Sequence, residues 1–390
     1  MAFIIFGDSF TFPEGNAATN RVYTFARGFS ENGINTHVIC FQNEYPDNCN
    51  GVTDGIKYYH PFNQTKRNSF FIVRRWLKLL KYFRTFSLVR KIHKEEKIIA
   101  INLYSYRLLT HLYAFVLARF FKTKILFDRC EHPLQFYHDN VFEQTSAKLK
   151  LLLETKLSDG MFCISNYLID FYKKRGFDPS RLFLVPSTVD TERFNKQINS
   201  PLAYSYILYC GSLTILKDGV NILIESFKKI SEKYPEINLV LIGKGDSVSD
   251  EIMIKDLVVK LNIEKRVIFL GQLPRTEIPA YLCNAKILAL ARPESIVADA
   301  GFPSKLTEYL ATGNPVVVTR VGEIPQYLKD NETAFLAEPG SIDAFANKLD
   351  IVLSNYEFAQ RVGINGKELT STIFNYNFQS KRMITFIDSL

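Results

Sequence analysis

Segments with the pattern of a buried β-strand alternate with segments of helical periodicity along almost the whole chain. This alternation is typical of a parallel sheet covered by helices on both faces, because parallel strands need a long crossover between them. A polar stretch over residues 186–200 interrupts it once. A chain of 390 residues is also too long for one typical core. The sequence therefore predicts an α/β protein of two doubly wound units joined by one linker.

The expected strands fall into two series, one on each side of the linker. The first comprises residues 3–6, 36–41, 98–104, 124–127, 160–165 and 182–185, with helices such as 21–32 and 166–175 between them. The second comprises residues 206–210, 238–242, 266–270, 286–289, 314–319 and 333–337, followed by helices near 341–353, 357–369 and 377–390. We place an N-terminal domain at 1–195 and a C-terminal domain at 203–372. The last helix, 374–390, is expected to pack back on the N-terminal domain.

The segment over residues 301–318 carries the most informative local pattern. It predicts a turn, a helix from about Ser304, a stop at Gly313 and a β-branched strand. Ser304 is an N-cap candidate, and the amides of the first turn together with Lys305 form a site for an anion. Glu308, one turn further on, is placed to take the hydroxyls of a ribose. The same pattern fits an ordinary αβ unit. Whether the segment binds a nucleotide diphosphate therefore depends on the residues at the ends of the other strands.

Three further strands of the second series end in small residues, at Gly211, at Gly243 and Gly245, and at Gly271. The carboxyl ends of parallel strands meet at one edge of a sheet, so we expect these turns to share a crevice. Lys217 lies near the start of the next helix, where a lysine opposes the helix dipole unless an anion is bound. It is therefore a candidate phosphate ligand, with a solvated lysine as the alternative.

Basic residues are concentrated in one segment of a chain whose net charge is +8. Between Lys66 and Lys97 only Glu95 and Glu96 oppose them. Helical periodicity places Val73, Trp76, Leu77, Leu80 and Phe83 on one side and Arg74, Arg75, Lys78 and Lys81 on another. Such a helix suits an anionic bilayer surface, and a core-facing stripe with a solvated basic face is the alternative. Nothing resembles a module that reads nucleic acid.

Other patterns narrow the class of protein. No apolar run approaches the roughly 18 residues of a membrane span, and the first residues lack the basic region of a signal peptide. The six cysteines show no C-x-x-C spacing, so we expect buried free thiols in a reducing cytoplasm and neither disulfides nor a zinc site. The loop over residues 7–20 is long for a βα connection. Its small residues, Gly15 among them, would let a ligand approach the backbone. The alternative interpretation is a flexible surface loop.

In their order along the chain, these motifs resemble those of the family 4 glycosyltransferases of the GT-B fold. The matching segments are the G-x-L-x-x-x-K turn at 211–217, the Ile-Gly-Lys-Gly turn at 242–245, the Val-Ile-Phe-Leu-Gly run at 267–271, the block at 301–318, and Ile-Ser at 164–165 followed by Val-Pro at 185–186 and Val-Asp at 189–190 with Phe194. The resemblance implies two Rossmann-like domains that face a central cleft. The N-terminal domain would bind the acceptor and the C-terminal domain a nucleotide-diphosphate sugar.

The resemblance also implies roles for single residues. Lys217 and Lys305 would neutralise the diphosphate, the amides around Ser304 to Leu306 would cradle it, and Glu308 would hold the ribose. His132, with Glu131 as the second candidate, would reach the donor sugar; the alternative is a polar turn before a proline. The implied donor-binding residues are Gly15, Asn16, Gly211, Ser212, Lys217, Gly243, Gly245, Gln272, Leu273, Ser304, Lys305, Leu306 and Glu308, and the implied catalytic residues are His132, Glu131, Lys217 and Lys305.

Two positions depart from the family pattern. Many members have an arginine where this chain has Ser212, and many have a second glutamate where this chain has Ala300. Glu294 and Asp299 lie near that position but out of register. The contact to the sugar hydroxyls is therefore the part of the site that the resemblance supports least, and Lys305 would carry more of the phosphate charge.

The reaction that the resemblance implies is transfer of a hexosyl or N-acetylhexosaminyl group, with retention, from a UDP- or GDP-linked sugar. The acceptor would be a hydroxyl of a glycan or lipid-linked molecule, in bacterial surface polysaccharide or glycoconjugate synthesis. We expect no metal and no cofactor, and a cytoplasmic protein held at the inner face of the membrane. Epimerisation of a nucleotide sugar and a non-catalytic scaffold that binds one are the alternatives, the latter because of Ser212 and Ala300.

Overall fold

The computed structural model describes residues 1–15, 17–133, 141–194 and 199–390, without the side chains of 141–144. The chain forms two compact units: unit 1 consists of Met1–Thr188 and Tyr376–Leu390, and unit 2 consists of Val189–Asn375. Each unit has its own sheet, and helices connect most of the successive strands. The predicted α/β class with two doubly wound units is confirmed.

The elements are numbered along the chain. Unit 1 contains β1 (Ala2–Gly7), α1 (Ala17–Glu31), β2 (Asn35–Cys40), β3 (Asn50–Thr53), β4 (Ile56–Tyr59), α2 (Phe71–Glu95), β5 (Ile98–Tyr104), α3 (Leu108–Phe120), β6 (Lys124–Arg129), α4 (Val141–Leu157), β7 (Gly160–Cys163), α5 (Asn166–Lys173) and β8 (Leu182–Leu184). Unit 2 contains β9 (Ser205–Cys210), α6 (Ile215–Asp218), α7 (Val220–Ser231), β10 (Ile237–Ile242), α8 (Val248–Lys260), β11 (Val267–Gly271), α9 (Ile278–Cys283), β12 (Ile287–Leu290), α10 (Ile296–Ala300), α11 (Ser304–Thr312), β13 (Val316–Thr319), α12 (Ile324–Tyr327), β14 (Phe335–Ala337), α13 (Ile342–Ser354) and α14 (Tyr356–Glu368). The last helix, α15 (Tyr376–Ser389), returns to unit 1.

The sheet of unit 1 has the order β3-β4-β2-β1-β5-β6-β7-β8 among the described residues. All neighbouring strands in it are parallel except β3 and β4. Strand β1 is buried along its whole length, as expected for a strand covered on both faces. The β3–β4 hairpin was missed from the sequence, although its Asp54-Gly55 turn, with both residues at positive φ, is a strong hairpin signal.

The sheet of unit 2 has the order β11-β10-β9-β12-β13-β14, and its neighbouring strands are parallel. The chain first moves outward from β9 through β10 to β11, and then places β12 on the other side of β9. The strand order therefore reverses between β9 and β12, and ligands of open α/β sheets bind at such a switch point, beyond the carboxyl ends of the strands.

Helix α15 lies against α1 within unit 1. The Tyr376 hydroxyl donates to Glu31 at 2.7 Å, and the Asn377 side-chain amide donates to the same carboxylate at 2.8 Å. The N-terminal domain of the chain is therefore completed by its last helix. Among the described residues, no helix combines the length and the apolarity that crossing a bilayer requires. All six cysteines are free thiols, of which Cys40, Cys130 and Cys163 are buried and Cys49, Cys210 and Cys283 are half-buried.

Candidate functional site

Three glycine turns meet at the carboxyl edge of the sheet in unit 2. They follow β9, β10 and β11 at Gly211, Gly243 and Gly271. A Cβ atom on Gly243 would lie 1.8 Å from the carbonyl oxygen of Gly211, so the two turns touch backbone to backbone. The Gly243 amide also donates to the Gly271 carbonyl at 2.8 Å. The structure thus brings together the turns that the sequence singled out, and it does so beside the switch point.

Helix α11 reaches the first of these turns through the side chain of Lys305. A Cβ atom on Gly211 would lie 2.3 Å from Lys305 Nζ, so the glycine makes room for the lysine. Lys305 Nζ donates to Asp218 Oδ2 at 2.7 Å and to the Tyr209 hydroxyl at 2.9 Å. The Tyr209 hydroxyl lies 3.0 Å from the same Asp218 oxygen and donates to the Ser212 carbonyl at 2.6 Å. Sequence reasoning missed Asp218 and Tyr209.

The buried carboxylate of Asp218 is held in its charged form. Burial alone would raise the pKa of this carboxyl, but the charges of Lys305 and Arg292 and the hydrogen bonds from Lys305 and Tyr209 outweigh it, and the pKa lies below its ordinary value. Burial, followed by the charge of Asp218, raises the pKa of the Tyr209 hydroxyl well above its usual range. The tyrosine is therefore a neutral hydrogen-bond donor, and Lys305 is an ammonium ion fixed in direction by two partners.

Arg292, which follows β12 on the other side of the switch point, was also missed from the sequence. Its Nε donates to the Lys217 carbonyl at 3.2 Å and lies 4.0 Å from Asp218 Oδ1. The Arg292 carbonyl accepts a hydrogen bond from the Thr319 hydroxyl at 2.6 Å. The side chain of Lys217 is exposed at the end of the short helix α6. The carboxyl ends of β9, β12 and β13 are thereby connected by polar contacts.

Glu308, the predicted ribose ligand, is held in place by an arginine. Arg193 Nη1 donates to Glu308 Oε1 at 2.6 Å, and Arg193 Nη2 donates to the Arg275 carbonyl at 3.3 Å. Arg193 lies in a 3-10 turn, Thr191–Phe194, of the segment that the sequence assigned to the linker. No local sequence signal links this turn to Glu308, because the two residues are far apart along the chain.

The start of α11 differs in one detail from the prediction. Ser304 is the first helical residue and not the N-cap; that position belongs to Pro303, whose backbone is extended. The Leu306 amide donates to the Pro303 carbonyl at 3.0 Å, which closes the first turn. The prediction that Ser304 is the N-cap of this helix was therefore wrong. The stop at Gly313 is confirmed, since this residue ends the helix at φ 81°.

The remaining donor-side residues of the prediction lie around the same edge. Ser212 and Gln272 are exposed, and Leu273 is half-buried. The Gly245 amide donates to Glu251 on α8 at 3.1 Å. Ala300 is completely buried. A cavity of about 370 Å³ is lined by Glu294, Ser295, Ile296, Asp299, Arg320, Val321 and Gly322, so both carboxylates that lay out of register in the sequence, Glu294 and Asp299, line one space together.

Unit 1 places its predicted residues in several environments. His132 is buried, with its ring 5.0 Å from that of Phe171 and 5.9 Å from that of Tyr167. Burial, aided by the charge of Arg175, lowers the pKa of His132, so the neutral imidazole is favoured. Glu131 is half-buried and Gly15 is exposed. Asn16 lies outside the described residues.

Two buried ion pairs of unit 1 were not predicted. Arg21 Nη2 lies 2.9 Å from Asp128 Oδ1, and Arg21 also donates to the carbonyls of Val185 and Pro186. Arg129 Nη2 lies 2.9 Å from Glu154 Oε1. These contacts hold the carboxyl end of β6 to its neighbours. The first also gives the Val185-Pro186 motif a physical role, because its carbonyls accept from a buried guanidinium.

Helix α2 exposes most of the apolar residues in its first half. Trp76 is 59% and Phe83 71% exposed, whereas the helix buries Lys81, Thr85, Val89 and Ile92. The interpretation of a core-facing apolar stripe was therefore wrong. The assignment of Lys81 to the membrane-facing set was also wrong. This residue is 5% exposed, and its ammonium group donates to the Phe41 carbonyl and to Asn43 Oδ1, both at 2.9 Å.

Helix α3 extends this exposed surface. The rings of Phe86 on α2 and Phe120 on α3 are 5.0 Å apart, and the Tyr113 hydroxyl donates to the Tyr82 carbonyl, so the two helices lie side by side. We call the exposed apolar residues of this region the apolar face of α2 and α3. It consists of Phe70, Phe71, Ile72, Val73, Trp76, Leu79, Leu80 and Phe83, with Leu109, Leu112, Val116 and Phe120.

Two family models match the chain in succession. The model described as Glycosyltransferase Family 4 matches residues 18–193, and the one described as Glycosyl transferases group 1 matches residues 190–369. One phosphatidylinositol N-acetylglucosaminyltransferase subunit from Arabidopsis thaliana is 24% identical over 87% of this chain and 72% of its own length. D-inositol 3-phosphate glycosyltransferase from Corynebacterium efficiens is 29% identical over 52% of this chain and 49% of its own length.

Solved structures resemble both units together. Anabaena HepE in complex with UDP and glucose matches with a TM-score of 0.73 and 16% identity over the full length of both chains. Sucrose-phosphate synthase from Thermosynechococcus elongatus matches with a TM-score of 0.71 and 17% identity over 100% of this chain and 98% of its own. At these identities the likeness shows the fold, which is that of two Rossmann-like domains.

Proposed function

We propose that this chain, which belongs to the family 4 glycosyltransferases of the GT-B fold, transfers a sugar from a nucleotide-diphosphate sugar. The transfer proceeds with retention of configuration. The acceptor is a hydroxyl of a glycan or lipid-linked molecule in the synthesis of a surface polysaccharide or glycoconjugate. The observation that carries the proposal is the convergence of Lys305, the α11 N-terminus and the Gly211 turn at the switch point of unit 2. Such edges of open α/β sheets bind nucleotides.

The donor diphosphate would lie where this edge is most positive. The N-terminal amides of α11 carry a partial positive charge, and Lys305 comes from the first turn of the same helix. Arg292 and the exposed Lys217 add two charges, and Asp218 compensates one of them. This arrangement supports stabilisation of the leaving diphosphate by protein groups, with no metal required. The leaving phosphate would accept the proton of the acceptor hydroxyl.

The nucleoside would be bound by the same side of α11 as the diphosphate, because residues three apart on a helix lie on one side. Glu308 lies one turn after Lys305, and Arg193 fixes the direction of its carboxylate. A carboxylate held in this way can accept from two adjacent ribose hydroxyls at little cost in side-chain entropy. HepE, whose fold this chain shares, was crystallised with UDP and with UDP-glucose, which favours a nucleotide sugar as the donor.

The apolar face of α2 and α3 supports a membrane-bound acceptor. Exposed apolar surfaces on soluble proteins often mark interaction sites, and this face exposes many large apolar side chains on two neighbouring helices. Basic residues Arg74, Arg75 and Lys78 lie on the same part of α2, and this combination is typical of helices that lie on an anionic bilayer. We therefore place the enzyme at the inner face of a membrane, with α2 and α3 of unit 1 against the lipid.

A nucleotide-release assay tests the proposed function. The protein is incubated with each of a panel of UDP- and GDP-sugars, with and without a membrane-lipid extract as the source of acceptor, and with Glu308→Ala as the impaired control. We expect free nucleoside diphosphate only when acceptor is present. A changed sugar that is still attached to its nucleotide would identify an epimerase. Tight donor binding without turnover on any acceptor would identify a scaffold, and either result would refute the proposal.

A further inference from the structure

A second cavity, of about 380 Å³, lies in unit 1 at the start of α2. It is lined by Asn43, Tyr45, Phe62, Arg67, Phe71, Arg74, Arg75 and Lys78. Helix α2 contributes its first two turns, the segment before it contributes Arg67, and the chain following β2 contributes Asn43 and Tyr45. All of its lining residues belong to unit 1.

The charge of this cavity is one-sided. Four of its lining residues are cations, and none of the described residues that line it is Asp or Glu. Arg74 donates to the backbone carbonyls of Asn68 and Ser69, at 3.1 and 3.0 Å, and therefore has a structural role. Arg75 lies over the Phe71 ring at 5.0 Å. Arg67, Arg75 and Lys78 are exposed, so water screens part of the repulsion among these charges, and an anion bound among them would relieve the rest.

The helix adds to this repulsion. Three of the cations, Arg74, Arg75 and Lys78, lie in the first two turns of α2, and no acidic residue lies in its first turn. The positive end of a helix dipole disfavours cations in the first turn and favours anions there. The helix also begins at Phe71 without a side-chain cap at Phe70. Charge, helix direction and cavity volume therefore all favour an anionic group of the size of a phosphate or diphosphate.

The surroundings of the cavity indicate what the anion is attached to. Phe71 lines the cavity and is itself 59% exposed, and its neighbours Phe70, Ile72 and Trp76 belong to the apolar face of α2 and α3. An anion-binding site that shares Phe71 with an exposed apolar face fits an amphiphile with an anionic head and an apolar chain. A free inorganic phosphate would use the cations alone and would leave these side chains exposed.

We propose that this cavity binds the phosphate or diphosphate of a lipid that carries the acceptor, with the lipid chain lying along the apolar face of α2 and α3. The inference rests on the proposed function, since it specifies the acceptor of that reaction. Arg67, Arg75 and Lys78 contact the phosphate oxygens, while Arg74 shapes the cavity. The acceptor lipid would then bind to unit 1 without any contribution from the donor.

Calorimetric titration of farnesyl diphosphate, inorganic pyrophosphate and farnesol tests this assignment, because the three probes separate head from chain. The test variant is Arg67→Gln with Arg75→Gln, which keeps the structural Arg74. The control is Lys91→Gln with Lys94→Gln, which removes the same charge from exposed positions near the other end of α2. Unchanged melting temperatures show that both variants fold.

We expect the wild-type protein to bind farnesyl diphosphate more tightly than either pyrophosphate or farnesol. Loss of two charge-assisted hydrogen-bonding groups should weaken this binding by about tenfold or more in the test variant, and by less than about twofold in the control. Equal losses in both variants would mean general electrostatic attraction and would overturn the proposal. So would pyrophosphate binding as tight as that of farnesyl diphosphate, which would indicate a site for free phosphate, and so would no binding of farnesyl diphosphate at all.

The titration needs no donor and no turnover, so it fails independently of the proposed function. If the protein binds farnesyl diphosphate in this cavity but releases no nucleotide with any acceptor, the lipid-phosphate site is supported and the transferase function is refuted. If the protein releases nucleotide with acceptor but the test variant binds farnesyl diphosphate as the control does, the transferase function is supported. The assignment of the lipid phosphate to this cavity is then refuted.

Discussion

Lys305 Nζ lies 2.7 Å from Asp218 Oδ2 at the carboxyl edge of the sheet in unit 2. The two residues come from different helices, α11 and α6, and they meet beside the Gly211 turn. The carboxylate is buried and charged, so it fixes the ammonium group in one direction before any anion arrives. Lys305 is therefore preorganised, and the direction of its ammonium group depends on Asp218.

Replacement of Asp218 by Asn tests the strength of this ion pair. The variant keeps the shape of the side chain but removes the charge that pairs with Lys305. We expect the free energy of unfolding to fall by about 1–3 kcal/mol, because a mostly buried charged hydrogen bond is lost. Urea denaturation measures it. Asp343→Asn is the control, since its pair with Lys229 is exposed and should contribute less than about 1 kcal/mol. Equal effects would show that the Lys305 pair is no stronger than a surface pair.

Glu308→Ala should weaken donor binding, and it should also lower the free energy of unfolding by about 1 kcal/mol, because Arg193 loses a mostly buried partner. If Glu308 accepts from the ribose, its loss should raise the dissociation constant for the nucleotide sugar about tenfold or more, by removal of hydrogen bonds to a charged group. Arg193→Gln should produce a smaller loss, because the carboxylate remains but its direction is no longer fixed. The size of the donor-induced shift in melting temperature measures both effects.

The exposed Glu357, in the first turn of α14, provides the matched control for this pair. Glu357→Ala removes the same charge from the same unit and should leave the donor-induced shift at its wild-type value. Donor binding that is equally strong in Glu308→Ala and Glu357→Ala would refute the ribose role.

The sequence was sufficient for the strands other than β3 and β4 and for the glycine turns, because both depend on local patterns. Buried parallel strands appear as apolar runs, and Gly211 and Gly243 mark places where the backbone must come close. It was not sufficient for Asp218 or Arg193. Their roles come from contacts with Lys305 and Glu308 across the fold, which no spacing in the sequence encodes.

Helix α2 shows a second kind of failure. Its apolar residues have helical spacing, and spacing alone does not distinguish a stripe that packs on a core from one that is exposed. The structure shows that the stripe is exposed at Trp76 and Phe83, whereas Lys81 is buried. A lysine was the least expected residue of this helix to be buried, and its position follows from two acceptors, Phe41 and Asn43, that lie under the helix.

The stability of the protein should depend on Lys81 in alkaline solution. Burial, the largest cause, lowers the pKa of Lys81 from 10.5 to about 8; Asp8 opposes this shift, and Arg107 and Lys78 add to it. Between these pH values the unfolded chain holds a proton that the folded protein has lost. The contribution of this site to the free energy of unfolding therefore increases as the pH rises from about 8 to about 10.5. Below that window the lysine is charged in both states, and the cost of its burial is fully present.

Urea denaturation of the wild-type protein, Lys81→Met and Lys91→Met across this pH range measures the effect. The wild-type protein should gain stability relative to Lys81→Met as the pH rises. It should keep a constant difference from Lys91→Met, whose replaced side chain is exposed on the same helix. Parallel profiles for all three proteins would mean that Lys81 titrates at its ordinary pKa.

Membrane binding should depend on the apolar face of α2 and α3 more than on charge. Trp76→Ser combined with Phe83→Ser removes two of its exposed aromatic rings. Burial of one large apolar side chain is worth about 1.5 kcal/mol or more, so the partition onto vesicles of phosphatidylcholine and phosphatidylglycerol should fall by at least about tenfold. Val248→Ser combined with Ile364→Ser, both exposed in unit 2, is the control and should partition as the wild-type protein does.

High salt screens the attraction of basic residues to anionic lipid but not apolar insertion, so wild-type binding should weaken in salt without being abolished. Complete release of the wild-type protein by salt, or equal partition of the two double variants, would show that the aromatic residues do not enter the bilayer.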